Sequence, residues 1–174
     1  INDSKKLSSK KREEFYSILT KSPNIEFGIG RVTEKVIDKI NILEATKLAM
    51  KRTIDNLKVK NQKPKVKIDS LIIDGNFTLP AEALAKAGID LPITQKSIIK
   101  ADQRVFSCSA ASIIAKVTRD RIMIRYHKRY SQYGFDKHKG YGTKLHRRML
   151  KKYGPCKIHR KSFKPVKYLK NIKT

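Results

Sequence analysis

The strongest constraint on the fold is a short apolar run that ends on a carboxylate, Leu71-Ile72-Ile73-Asp74-Gly75-Asn76. A continuous apolar run bounded by a turn signal is typical of a strand buried on both faces, in a sheet covered by helices. Binding sites in open α/β folds form at the carboxyl ends of such strands, which would place Asp74 beside a crevice. Asp and Gly are also common turn residues, so this stretch alone leaves a plain turn at Asp74-Gly75 equally open.

Strand and helix patterns alternate along the chain without a repeat or an internal boundary, which predicts a single mixed α/β domain over residues 1–174. The elements predicted in chain order are a helix capped by Ser8 or Ser9, a strand over 25–29, a short helix from Thr33, a helix over 42–58 capped by Asn41, the central strand over 66–73, a weak helix ended by Gly88, a strand over 97–102, a helix over 104–129, and a helix from Thr143 to Lys152. The strand over 97–102 also ends on an aspartate, Asp102.

The charge of the chain is strongly unbalanced, since 41 Lys and Arg residues against 15 Asp and Glu give a net charge of +26. No acidic residue follows Asp136, whereas Lys and Arg recur to the end, so residues 137–174 form a basic C-terminal region. A one-signed stretch of this length creates a field whose natural counter-charge is phosphate. We therefore favour a nucleic-acid partner over a merely lysine-rich surface.

The composition also bears on the class and setting of the protein. A hydrophobic fraction of 39% in 174 residues is enough for a packed core and excludes a disordered composition. No apolar stretch reaches the ~18 residues of a membrane span, and the first residues do not form a signal peptide. Cys108 and Cys156 make no disulfide framework, which indicates a reduced, cytoplasmic setting. Because the sequence opens on Ile1 rather than Met, we expect its start to be a cut.

Asp74 and Asp102 are the candidate metal ligands, because each follows a short predicted strand and carboxylates are the hard oxygen ligands that Mg²⁺ prefers. Paired Mg²⁺ ions can hold a scissile phosphate and activate a water for in-line attack. The spacing alone is a weak signal, since strand ends often carry Asp as a cap or turn residue. A continuous helix between Asp102 and Asp120 would separate them by ~27 Å, so an ion pair with a neighbouring Arg is the better interpretation of Asp120.

The most unusual loop is Lys137-His138-Lys139-Gly140-Tyr141-Gly142-Thr143. It combines basic residues for phosphates, glycines for close approach and an aromatic ring for stacking on a sugar or base, which favours substrate contact over a plain connection into the next helix. A zinc site at Cys156 and His159 is disfavoured because a matching second pair of ligands is missing. The candidate substrate-binding residues are Tyr141, His138, Lys139 and Gly140, together with Lys5 and Lys6, for which a solvated charge pair is about equally favoured.

Six motifs stand in the order found in one known family. They are Asn2-Asp3-Ser4-Lys5-Lys6-Leu7, Asn41-Ile42-Leu43-x-Ala45-Thr46, Ile73-Asp74-Gly75-Asn76, Ser109-Ala110-Ala111-Ser112-Ile113-Ile114-Ala115-Lys116-Val117-Thr118-Arg119-Asp120, His138-Lys139-Gly140-Tyr141-Gly142-Thr143 and His159-Arg160-x-Ser162-Phe163. Together they resemble bacterial ribonuclease HII, the type 2 ribonuclease H, over essentially the whole chain.

The resemblance implies a ribonuclease H-like α/β fold, with a mixed sheet flanked by helices and a basic C-terminal substrate-binding region over 137–174. It implies an endonuclease that is a monomer, has no membrane partner and uses Mg²⁺ or Mn²⁺. Such an enzyme cuts the RNA strand of RNA–DNA hybrids and cuts at ribonucleotides embedded in DNA, leaving 3′-hydroxyl and 5′-phosphate ends. Asp74 and Asp102 match two of the family's four carboxylates, with Ala101 standing where the family has Gly. Tyr141 matches the tyrosine that packs on the sugar at the RNA–DNA junction.

One family element, the leading strand Asp-Glu-Ala-Gly-Arg-Gly, is not found in these 174 residues. In the family it supplies the other two carboxylates and the backbone that reads the ribose 2′-hydroxyl. An N-terminally truncated chain of this kind is expected to bind metal very weakly and to cleave little or nothing alone. We also expect instability, with apolar sheet faces and an unpaired strand edge exposed.

Two alternatives stay open at this stage. A non-catalytic basic nucleic-acid-binding protein explains the charge of +26 as well as an enzyme does. It does not explain aspartates placed after apolar strands, and it would bind RNA without Mg²⁺ and tolerate Asp74→Asn. The second alternative is the related type 3 ribonuclease H, which carries an extra amino-terminal substrate-binding domain. The residues of the motifs favour type 2 over type 3.

Overall fold

The computed structural model describes residues 7–60 and 68–169. The chain folds into two compact units, one of Ile1–Arg31 with Thr46–Val117 and one of Val32–Ala45 with Thr118–Thr174. The elements are helices α1 (Ser9–Lys21), α2 (Glu34–Lys60), α3 (Ala81–Lys86), α4 (Phe106–Arg129), α5 (Phe135–His138) and α6 (Lys144–Tyr153), strands β1 (Ser70–Asp74) and β2 (Thr94–Ile98), and 3₁₀ turns at Ala101–Gln103, Ser131–Tyr133 and Val166–Tyr168. None of the helices in the described ranges is long and apolar enough to cross a bilayer.

Strands β1 and β2 pair in parallel, with Ser70 opposite Thr94 at one end and Asp74 opposite Ile98 at the other. Parallel strands need a crossover connection, and the segment that contains α3 supplies it. The Gln95 side chain fixes this crossover, because it accepts a hydrogen bond from the Leu79 backbone N–H at 2.9 Å and donates one to the Leu79 carbonyl at 3.0 Å. The predicted α/β class, a sheet with helices packed on it, is confirmed.

One face of β1 carries the core of the first unit. Ile73 is 5% exposed, and the residues buried with it are Ile54, Leu79, Leu84, Ala87 and Ile89. Because successive side chains of a strand point to opposite faces, Ile72 points the other way, and it is 37% exposed. The prediction that this strand is buried on both faces is therefore wrong for the described residues. Ile99 and Phe106 are also exposed, which agrees with the expected exposure of apolar surface.

A second cluster of the first unit joins α1 to the beginning of α4. Leu19 packs on a row of small and β-branched residues of α4, namely Ala110, Ile113, Ile114 and Val117. The Ser8 side chain accepts a hydrogen bond from the Lys11 backbone N–H at 3.3 Å and begins α1 where the sequence predicts a cap. The predicted start of α1 and both predicted ends of α4 are confirmed to within two residues.

The predicted strand over 25–29 is wrong, because the structure assigns no strand to this stretch. Its apolar side chains pack on the cluster of α1 and α4, while its backbone lies against α2. The Gly30 N–H donates to the Thr53 hydroxyl at 3.0 Å, and the Asn56 side chain donates to the Ile29 carbonyl at 2.6 Å. The alternating pattern thus comes from an extended segment between a core and a helix, not from a strand ladder.

Helix α2 consists of two helical segments that meet at Asn41, where φ is 68° and ψ is 171°. The Asn41 side-chain oxygen accepts hydrogen bonds from the backbone N–H groups of Leu43 at 2.9 Å and Glu44 at 3.1 Å. These bonds satisfy donors that a helix start leaves without partners. The cap that the sequence predicts for the helix over 42–58 is confirmed.

The second unit has its own core, formed by Tyr133, Phe135, Leu150 and Val166. Helix α6 begins at the predicted cap, where the Thr143 hydroxyl accepts from the His146 N–H at 3.2 Å. It stops before Gly154, whose φ of 68° suits a residue without a side chain. Within this unit the Asp38 carboxylate accepts hydrogen bonds from the backbone N–H groups of Lys161 at 2.8 Å and Ser162 at 2.9 Å.

Replacing Gly30 by Ala tests the packing of the 25–31 segment on α2. A methyl group there would overlap the Ala49 carbonyl oxygen, and backbone atoms cannot move aside cheaply. We expect Gly30→Ala to lower the free energy of unfolding by about 2 kcal/mol or more, as overpacking does. Chemical denaturation measures the change. Gly142→Ala is the matched control, because a methyl group there meets no atom within 4 Å, and equal stability of the two variants would contradict the packing.

Candidate functional site

One hydrogen bond joins the first predicted metal ligand to the residue that precedes the second. Asp74 is the last residue of β1, and its Oδ1 accepts from the Ala101 backbone N–H at 3.0 Å. Asp102 follows Ala101 directly and is only 3% exposed, whereas Asp74 is exposed. One carboxylate of the pair therefore reaches solvent while the other lies in the protein interior.

Asp102 does not lie at the end of a strand, so this part of the sequence prediction is wrong. Strand β2 ends at Ile98, and Lys100 has a left-handed backbone with a φ of 58° and a ψ of 42°. A residue in that conformation cannot continue an extended strand. The chain turns there into the 3₁₀ turn Ala101–Gln103, which carries Asp102 back beside the end of β1.

A thiol that the sequence analysis did not select lies beside the two aspartates. Cys108 sits in the first turn of α4 with its Sγ 3.8 Å from the Ile72 carbonyl oxygen. Burial raises the pKa of this thiol, and the negative charges of Asp74 and Asp102 raise it further. Burial is the larger cause, and the smaller contribution of the two carboxylates shows that both lie within electrostatic reach of the thiol.

The donor set suits a hard divalent cation that keeps several water ligands, as Mg²⁺ does. Asp74 and Asp102 supply carboxylate oxygens, the ligand type that this ion prefers. In the described parts of the chain, no group of three or more His, Cys, Asp or Glu residues is placed to hold a metal. Asp120 lies 3.9 Å from the guanidinium of Arg119, which is the ion pair that the sequence predicts for it.

The second candidate site is the loop of residues 137–143, at the end of α5. Lys139 and Gly140 both have positive φ, 49° and 82°, and these two residues turn the chain. Tyr141 follows them and is 54% exposed. The Arg119 guanidinium lies 4.9 Å from the centre of its ring. The loop therefore presents an aromatic ring to solvent with a cation against it, an arrangement suited to stacking on a nucleotide.

The other predicted substrate contacts have different environments. His138 is buried, and its Nδ1 accepts from the Gly140 N–H at 3.1 Å, so it holds the loop from inside. The Lys139 ammonium donates to the Asp136 carbonyl. Gly140 is closely packed, since a methyl group there would lie 3.2 Å from Met123 Cε. Lys5 and Lys6 lie outside the described residues.

Sequence reasoning missed a chain of contacts between histidines behind this loop. His146 Nδ1 lies 3.0 Å from the Tyr141 carbonyl oxygen, and its Nε2 lies 3.1 Å from His159 Nε2. His159 Nδ1 in turn accepts from the Cys156 N–H at 3.0 Å. Burial, and then the neighbouring His146, lower the pKa of His159 from 6.5 to about 4. Burial also lowers the pKa of His146, so both rings are neutral near pH 7.

Comparisons with known proteins agree on one family. The sequence profile described as Ribonuclease HII matches residues 1–166. The chain is similar to ribonuclease HII of Alkaliphilus metalliredigens, with 46% identity over 164 residues that cover 94% of this chain and 74% of that protein. It is similar to ribonuclease HII of Chlamydia muridarum, with 49% identity over 167 residues that cover 96% of this chain and 69% of that protein.

Two solved structures share the fold. Ribonuclease H2 from Pyrococcus horikoshii superposes with a TM-score of 0.63 at 28% identity, covering 96% of this chain and 78% of that one. The ribonuclease HII of Archaeoglobus fulgidus, solved as a complex with PCNA, superposes with a TM-score of 0.63 at 24% identity, covering 99% of this chain and 80% of that one.

The neutral histidines predict a pH-dependent stability. The unfolded chain takes up a proton at His159 near pH 6.5, whereas the folded chain resists it down to about pH 4. Because the unfolded state binds more protons in this window, the free energy of unfolding falls as the pH drops from 6.5 towards 4. Urea unfolding at a series of pH values measures the fall, which we expect to be smaller in His159→Gln. Equal pH dependence in both proteins would contradict a neutral, buried His159.

Proposed function

Because the chain belongs to the ribonuclease HII family, we propose that it is an endonuclease that hydrolyses the RNA strand of RNA–DNA hybrids and cuts at ribonucleotides embedded in DNA. The observation that carries the proposal is the hydrogen bond from the Ala101 N–H to Asp74 Oδ1. It places the exposed carboxylate of Asp74 beside the turn that holds the buried Asp102. Metal-dependent phosphodiester hydrolysis needs such paired carboxylates.

We propose Mg²⁺ or Mn²⁺ as the cofactor, held by Asp74 and Asp102. When bound, the metal supplies a positive charge that polarises the scissile phosphate and an activated water for in-line attack. An ionised carboxylate has about four lone-pair positions. The Ala101 N–H uses one of them and fixes the Asp74 side chain, which leaves oxygen positions for a cation. Burial places Asp102 in a medium of lower dielectric than water, where its attraction for a cation is stronger.

Most of the proposed substrate contacts belong to the second unit of the chain. The exposed ring of Tyr141, with Arg119 against it, would pack on the sugar at an RNA–DNA junction. Lys139 and the basic residues of 137–174 would hold phosphates, and Lys5 and Lys6 would do the same. His138 acts from inside by fixing the Gly140 backbone. Selection of RNA over DNA would depend on the 2′-hydroxyl, the group that differs between the two nucleic acids.

We also propose that the 174-residue chain alone binds metal weakly and cleaves slowly. Its described residues include no cluster of three or more potential metal ligands. A cation held by Asp74 and Asp102 alone would keep water molecules as its remaining ligands. We further propose that the protein is a monomer in the cytoplasm and that it serves DNA replication and repair. The free thiols of Cys108 and Cys156 support a reduced setting.

The rival function is a basic nucleic-acid-binding protein without catalysis. The net charge of +26 fits both functions, because either partner is a polyanion. The placement of Asp74 against the turn that carries Asp102 favours the enzyme, since neighbouring carboxylates repel phosphates unless a cation lies between them. A protein that only binds phosphates gains nothing from this arrangement.

The Asp74→Asn substitution tests the metal site. Asn keeps an oxygen that accepts from the Ala101 N–H, so the fold should persist, but the negative charge is lost. We expect Mn²⁺ affinity, measured by isothermal titration calorimetry, to fall about tenfold or more, equivalent to ~1.4 kcal/mol. Asp55→Asn makes the same charge change at a surface ion pair with Lys51 and should leave the affinity unchanged. Equal affinity in the wild type and Asp74→Asn would remove Asp74 from the site.

A cleavage assay separates the enzyme from its rival. With Mg²⁺ and a DNA duplex containing one ribonucleotide, we expect the purified chain to cut at the ribonucleotide at least 100-fold more slowly than a typical enzyme rate of ~10 s⁻¹. Asp74→Asn should abolish the cleavage but leave duplex binding in EDTA intact. Cleavage near 10 s⁻¹ would contradict the proposed weak metal binding. Tight binding with no cleavage at any enzyme or metal concentration would favour the non-catalytic rival.

A further inference from the structure

We propose that His146 and His159 are positioning residues that hold Tyr141 in place through a chain of hydrogen-bonded imidazoles with a single proton arrangement. The inference rests on the proposed function of Tyr141 as a contact to the nucleic acid. It assigns a role to residues that do not themselves reach the substrate.

The backbone of Tyr141 is fixed from both sides. Its N–H donates to the His138 carbonyl at 2.8 Å. Its carbonyl oxygen accepts from the Thr143 N–H at 2.8 Å and lies 3.0 Å from His146 Nδ1. Because more than half of the side chain is exposed, the direction of the ring depends on this backbone and on Arg119 rather than on packing in a core.

The partners of each ring nitrogen determine where the protons lie. A neutral imidazole carries one N–H and one acceptor nitrogen. His159 Nδ1 accepts from the Cys156 N–H, so its proton is on Nε2 and is donated to His146 Nε2. The proton of His146 is therefore on Nδ1 and is donated to the Tyr141 carbonyl. Each donor in this chain meets an acceptor, and reversing one ring would place two donors or two acceptors against each other.

His138 extends the same arrangement to the residue before Tyr141. Its Nδ1 accepts from the Gly140 N–H, so its Nε2 proton is donated to the Tyr133 carbonyl at 2.8 Å. The rings of His138 and His146 stack with centroids 4.3 Å apart and planes within 14°. Both rings are buried, 7% and 6% exposed, so neither can exchange its partners for water easily. Breaking one bond would leave a buried polar group without a partner, which is costly.

The consequence is a loop whose aromatic residue is placed in advance of binding. A contact that depends on stacking is sensitive to small displacements, and a shift of about 1 Å can cost about 100-fold in a reaction that needs alignment. Loss of the His146 bond should therefore weaken the contact that Tyr141 makes. Phosphate contacts made by flexible lysines should change little.

Two substitutions of His146 separate positioning from packing. The amide nitrogen of Asn lies close to the place of Nδ1, and that of Gln lies close to the place of Nε2. His146→Asn can therefore keep the donor to the Tyr141 carbonyl, whereas His146→Gln loses it while retaining a polar group towards His159. Thermal melts of both variants show whether each one is folded.

The measurement is the affinity for an RNA–DNA hybrid duplex in EDTA, by fluorescence anisotropy. We expect Tyr141→Ala and His146→Gln to weaken binding by a similar factor, about fivefold to tenfold, and His146→Asn to restore most of it. The double variant Tyr141→Ala/His146→Gln should be no weaker than Tyr141→Ala alone, because both changes act on one contact. Wild-type affinity in His146→Gln, or additive losses in the double variant, would overturn the inference.

The same experiment distinguishes failure of the inference from failure of the proposed function. If Tyr141→Ala binds as tightly as the wild type, Tyr141 is not a substrate contact and both the proposed role and the inference fall. If Tyr141→Ala weakens binding and His146→Gln does not, only the inference falls.

Long-range ¹H–¹⁵N spectra of the wild-type imidazoles test the same proposal without any substitution. They should show a proton on Nδ1 of His146 and on Nε2 of His159, and the opposite tautomer of either ring would overturn the proposal.

Discussion

The hydrogen bond from the Ala101 N–H to Asp74 Oδ1 determines the geometry of the candidate metal site. It joins the end of β1 to the turn that follows β2, and the left-handed Lys100 lets the chain make that turn. Parallel pairing of the strands brings the two segments to the same edge of the sheet. Without this bond the exposed carboxylate of Asp74 would be free to turn away from Asp102.

The sequence predicts the local features of this fold better than the tertiary ones. The helix caps at Ser8, Asn41 and Thr143 are confirmed because a cap depends on a side chain and a backbone N–H only a few residues away. The strand over 25–29 is not found, because its alternating pattern reflects a core on one side and a helix on the other. The left-handed conformation of Lys100 has no signature in the sequence, so the place of Asp102 on a turn could not be predicted.

The candidate sites also contain local features that the sequence predicts and tertiary contacts that it does not. Asp74, Asp102 and Tyr141 follow from motifs and from the chemistry of their side chains, and the structure places the two aspartates beside one turn. The contact between His159 and His146 has no local signature, since the two residues come from separate segments and meet only in the folded unit. Cys156 and His159 are only three residues apart, but their spacing does not show that His159 contacts another histidine. The charge pattern acts over longer distances than these contacts. A basic chain attracts a polyanion from a distance, whereas the proposed role of the small acidic site is to hold the cation needed to act on it.

The most direct measurement of the central claim is paramagnetic broadening by Mn²⁺ in ¹H–¹⁵N spectra of the wild-type chain. A metal held by Asp74 and Asp102 should broaden first the amide resonances of Gly75, Ala101 and Gln103, and the Asp74→Asn variant should need much more Mn²⁺ for the same effect. This result would establish the two aspartates as the cation site. Broadening that begins elsewhere in the chain, or that is unchanged by Asp74→Asn, would contradict the assignment of this strand end as the active site.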